Sequence, residues 1–70
     1  MKTIKMDVKQ YTSYEDLVRI NNELDEKAKK GLLVPLRQEP NLLMLSEPRI
    51  NGVWNIYLDN NGCIEKIVLF

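Results

Sequence analysis

There is no histidine anywhere in the 70 residues, and only one cysteine. These two shortages exclude more chemistry than any motif in the chain supplies. Zinc is held mainly by Cys and His, so no structural metal is expected. A Ser or Cys nucleophile would lack the usual imidazole base, and neither Ser13 nor Ser46 stands in a recognisable nucleophile elbow. Cys63 has no intrachain partner for a disulfide, and a lone thiol fits a reducing compartment. The three glycines are scattered, which leaves no loop able to cradle a phosphate. Ten basic and ten acidic residues cancel, so no net field draws the chain toward nucleic acid or anionic lipid. No apolar run approaches the ~20 residues that span a bilayer, and M-K-T-I-K-M-D-V-K lacks the apolar centre of a signal peptide. The expectation is a soluble, cytoplasmic protein with no cofactor, no metal and no membrane partner.

What remains is ordinary globular composition, 44% hydrophobic and 29% charged, too apolar for a disordered chain. Residues 1–70 make one small domain. A core of this size supplies only ~3–5 kcal/mol by itself, so packing quality or a partner must do the rest.

Residues 3–8 alternate, with Ile4, Met6 and Val8 on one side and Lys5 and Asp7 on the other, the period of a half-buried strand. A helix is expected from Ser13 to Lys30. Thr12/Glu15 and Ser13/Asp16 are overlapping capping-box candidates. Leu17, Ile20, Leu24 and Ala28 form a buried stripe, which Tyr14 and Val18 widen. Acids gather early and lysines late, as the helix dipole favours, and Glu23/Lys27 and Glu26/Lys30 are spaced as i,i+4 pairs. Gly31 is placed to end the helix.

Leu32–Leu36 contains Pro35 and is expected as an edge strand or extended connector. Arg37–Asn41 is expected as a polar turn. L-L-M-L at 42–45 is apolar on consecutive positions, so both of its faces call for cover. Asn51-Gly52 suggests a tight turn that would set Arg49 opposite Trp54 as a cation–π pair. Pro48, however, cannot donate in that ladder, which favours a broken pairing or a longer loop. Asp59-Asn60-Asn61-Gly62 suits a type I turn closed by a left-handed glycine, with a two-residue Asn61-Gly62 turn as the alternative. The first version sets Leu58 opposite Ile64, Tyr57 opposite Glu65, Ile56 opposite Lys66 and Trp54 opposite Val68. Trp54, Ile56, Leu58, Ile64 and Val68 then share a face, with Val53, Tyr57, Ile67 and Leu69 on the other. The same loop fails as a calcium site, because Cys63 stands at the third ligand position and Gly62 comes too early. Cys63 itself reads as a small packed hydrophobe.

The fold class expected is α+β: one strand, one amphipathic helix, then a small, mostly antiparallel sheet ending in a β-hairpin, in the order β-α-β-β-β-β. No catalytic set is expected. In its small size and missing catalytic set the chain resembles short accessory proteins of phages and mobile elements. The surplus of apolar strand surface points to a non-enzymatic interaction module, expected as a homodimer, with Leu43, Leu45, Tyr57, Ile67, Leu69 and Phe70 as its surface. Two alternatives stand beside it. One is a nucleic-acid-binding regulator using a basic cluster of Lys27, Lys29, Lys30 and Arg37. The other is a small inhibitor docking on a larger protein partner through Trp54 and Tyr57.

Overall fold

The computed structural model describes residues 9–70. The alternating segment 3–8 lies outside them. The elements follow the expected order: β1 (Lys9–Tyr11), α1 (Tyr14–Lys29), β2 (Val34–Glu39), β3 (Leu42–Glu47), a 3-10 turn (Pro48–Ile50), β4 (Gly52–Leu58) and β5 (Ile64–Leu69). All pairings are antiparallel, and the five strands lie in the order β1-β5-β4-β3-β2. The chain is an α+β fold.

This order puts β1 and β2 on opposite edges, so α1 must carry the chain across the sheet. Sixteen helical residues span about 24 Å at 1.5 Å each, enough to cross five strands roughly 4.8 Å apart. Ser13 caps the helix by accepting a hydrogen bond from the Asp16 N–H at 3.2 Å. Gly31, at φ +73°, ends it, while the Leu32 and Gly31 N–H groups donate back to the Lys27 and Ala28 carbonyls. Ile20 and Leu24 are buried against Trp54, Ile56 and Ile67, with Leu17, Leu33, Leu43, Leu45 and Leu69 packed around them. Tyr14 and Val18 do not widen this stripe and Ala28 does not extend it; all three are exposed. No helix among the described residues is long and apolar enough to cross a membrane.

Three connections set the register. Pro35 lies on edge strand β2, where a missing donor is tolerated, and Arg37–Glu39 belong to the strand; only Pro40 and Asn41 turn. That turn is pinned to the far end of β4, because the Leu58 N–H donates to the Asn41 carbonyl and Asn41 Nδ2 to the Leu58 carbonyl. Pairing of β3 with β4 stops at Glu47 opposite Gly52. Pro48 opens the 3-10 turn and Asn51, at φ 55°, closes it. The loop at 59–63 holds Gly62 at φ +83°, and Asp59 Oδ1 accepts from the Asn61 and Cys63 N–H groups at 2.8 and 2.9 Å. This is the longer of the two turns expected there.

Beyond that loop the register differs from expectation. Leu58 pairs with Ile64, but Tyr57 pairs with Lys66, Ile56 with Ile67, Asn55 with Val68 and Trp54 with Leu69. Glu65 is the extra residue of a β-bulge, which shifts every later partner by one. The shift moves Ile67 and Leu69 beneath the helix and Val68 to the opposite face. It also gives the core Ile67, the one completely buried large side chain among the described residues.

Candidate interaction surface

Strand alternation assigns each side chain to a face. Leu43, Leu45 and Glu47 of β3 and Trp54, Ile56 and Leu58 of β4 lie on the helix side, with Ile64, Ile67 and Leu69 of β5. Four of the six expected surface residues, Leu43, Leu45, Ile67 and Leu69, are therefore core or packed against it. Tyr57 and Phe70 lie on the opposite face. Phe70 is tied there by exchanging both backbone hydrogen bonds with Val53, which places the two side chains on one side of the sheet.

At the helix-side rim sits a cluster that spacing alone does not reveal. The Glu47 side chain is 4% exposed and its Oε1 accepts from Lys27 Nζ at 2.9 Å and from Trp54 Nε1 at 2.9 Å. Lys27 also lies 5.3 Å from the Trp54 ring centroid, so it takes the cation–π position expected of Arg49 and leaves Glu23 to pair with Arg19. Burial pushes the Glu47 carboxyl up, but the hydrogen bonds from Lys27 and Trp54, with the charges of Lys27 and Arg49, outweigh it and hold the group below the usual carboxylate range. This carboxylate links α1, β3 and β4. Its sequence signal is slight: Glu47 continues the core-facing positions 43 and 45 past the end of the apolar run.

The other three cations of the expected basic cluster are not gathered into one patch. Lys29 pairs with Asp25 at 3.4 Å and Arg37 with Glu39 at 3.4 Å, while Lys30 is the helix C-cap.

The face opposite the helix carries three cross-strand rows. The first is Glu39, Leu42, Tyr57, Lys66; the second is Arg37, Met44, Asn55, Val68; the third is Val34, Ser46, Val53, Phe70. Among the described residues no helix lies on this face. Asn55 and Val68 at its centre are buried, Leu42, Met44, Val53 and Tyr57 are half-buried, and Val34 and Phe70 at its corners are exposed. Lys66 Nζ stands 4.8 Å from the Tyr57 ring centroid. A second apolar feature lies elsewhere, a shallow groove of about 220 Å³ between α1 and the start of β5, lined by Tyr14, Leu17, Val18, Asn21, Cys63 and Ile64. Cys63 is exposed there, not packed as expected.

No protein-family model, no curated protein and no solved structure matches this chain.

Proposed function

We propose that this chain is a small non-enzymatic interaction module that acts as a homodimer. The observation that carries this reading is the sheet face opposite α1, where Leu42, Met44, Val53 and Tyr57 stay half-exposed with no described helix over them. Side chains of that kind gain from a second apolar surface, at about 25 cal/mol per Å² removed from water. An exposed free thiol at Cys63 suits work in a reducing compartment such as the cytoplasm. A role as an accessory protein of a phage or mobile element rests on size alone. The nucleic-acid alternative has less behind it, because Lys27, Lys29 and Arg37 each have a carboxylate partner within the chain. Sedimentation equilibrium at tens of micromolar is the test. A mass near twice 8.2 kDa is expected, and a monomer across the range would overturn the reading.

A further inference from the structure

Resting on the self-association reading above, we infer that the second copy packs face to face on the surface opposite α1, about a two-fold axis parallel to the strands. The sheet edges are poor alternatives. Strand β2 is blunted by Pro35, by an irregular register between Pro35 and Arg37, and by the Arg37 and Glu39 charges, devices that discourage edge pairing. The described part of β1 is only three residues long.

The cross-strand rows select the occupant and the axis. The first row reads acid, apolar, apolar, base across the sheet: Glu39, Leu42, Tyr57, Lys66. A two-fold axis along the strands reverses that order in the facing copy. Glu39 of each copy then meets Lys66 of the other, and Leu42 meets Tyr57. In the third row the same operation brings Val34 onto Phe70. In the second row it lays Arg37, which keeps Glu39 of its own chain as partner, over Val68, and Met44 over Asn55. The charges thus fall at the rim, around a centre that is mostly apolar, the usual anatomy of an interface. A two-fold axis across the strands would instead lay the Glu39 row on the Val34 row, setting Glu39 against Val34 and Lys66 against Phe70. That arrangement sets both Glu39 and Lys66 against apolar side chains, with no opposite charge from the other copy to offset the desolvation, and it brings Arg37 of one copy onto Arg37 of the other. The charge order of one row thus distinguishes two otherwise similar packings.

Size is adequate. Four strands about 4.8 Å apart and six residues at about 3.4 Å each give a patch roughly 20 Å square. Two such patches have a flat outline of about 800 Å² together, and side-chain relief raises the accessible area they bury towards the ~1,000 Å² lower limit for a specific interface. With ten charges of each sign, two copies meet without net repulsion. Aligned packing of two twisted sheets is a standard solution.

Sedimentation equilibrium on the full chain, with far-ultraviolet dichroism to confirm folding, tests the arrangement with four variants. Glu39→Lys and Lys66→Glu each set like charges in contact twice per dimer, and each is expected to weaken dimerisation about tenfold. The double variant Glu39→Lys/Lys66→Glu restores opposite charges in swapped positions and is expected to return close to the wild-type constant. Val18→Asp, in the groove between α1 and β5, is expected to leave the constant unchanged. A wild-type dimer indifferent to both single charge changes, or one dissociated by Val18→Asp, would overturn the face-to-face arrangement while leaving self-association intact. A monomeric wild type would overturn the self-association itself. Loss in both single variants without rescue in the double would also overturn the two-fold axis along the strands.

Discussion

Under α1, the side chains of Ile20, Leu24, Trp54, Ile56 and Ile67 close into a single cluster, each no more than 5% exposed. Across the sheet, the β2–β3 hairpin also carries apolar runs, V-P-L on one strand and L-L-M-L on the other. All six residues of β2 are exposed, and Leu42 to Leu45 are only half-buried. Both halves hold apolar residues, and the difference in their burial has a structural source. It comes from the reach of one helix, whose first half lies beside β5 and whose last turn ends at Glu47 of β3. Stability is therefore concentrated where the helix lies. The hairpin and the face behind it hold apolar surface that the described fold leaves open.

The largest expected effect is in the covered half. Ile67→Ala removes a side chain with no exposure and should cost about 2–5 kcal/mol, read by urea denaturation with Trp54 fluorescence as the probe. Leu36→Ala, at a residue 54% exposed, should stay within ~0.5 kcal/mol. Equal costs at the two positions would break the contrast between the halves.

Next is the carboxylate that joins them. Glu47→Ala leaves the buried Trp54 indole N–H without its acceptor and Lys27 without its partner. A cost of about 2–3 kcal/mol is expected, below that of a fully buried ion pair because Lys27 is partly exposed. The same group gives a pH dependence. Glu47 is held below its unfolded value, which is about 4.3, so its contribution is complete above that pH and is lost as pH falls through the lower, folded value. An acid titration of stability should therefore decline below about pH 4 in the wild type. Glu47→Gln should flatten that decline, and an identical acid limb in the variant would show that other carboxylates govern it.

Smaller again are the local signals that made the fold legible. Ser13→Ala removes the cap hydrogen bond to the Asp16 N–H and should cost about 1 kcal/mol, measured by thermal unfolding. Such signals are short-range, which is why the helix with its stop at Gly31, the Asp59–Gly62 turn, the break at Pro48 and the edge position of Pro35 could all be read from neighbouring residues. The register of β5 could not. Glu65 carries no mark of a bulge; its extra position is settled when Ile67 and Leu69, in place of Lys66 and Val68, are drawn beneath the helix. That single slip moved Ile67 and Leu69 from the expected surface into the core. The Lys27–Glu47–Trp54 cluster was hidden for a similar reason, since it joins residues as far as 27 positions apart through the path of the helix.

The smallest effect, and the one that most sharpens the contrast, belongs to the open face. Val34→Ser alters a corner residue that is 47% exposed, and in solutions dilute enough to hold the proposed dimer apart the change should fall within ~0.5 kcal/mol. On the proposed dimer, the wild type should gain stability at high concentration, because a partner that binds only the folded state adds RT ln(1 + [L]/Kd). The unfolding midpoint of the wild type should therefore rise with concentration, and that of Val34→Ser should rise less. Ile67→Ala should show the opposite pattern, a large loss already present in dilute solution and not specific to association. Thermal unfolding of the three proteins over a range of concentrations separates the two halves by a single observable. If Val34→Ser and the wild type climb in parallel, this corner of the face is not covered by a second copy. If neither climbs, the open face has no second copy on it at all.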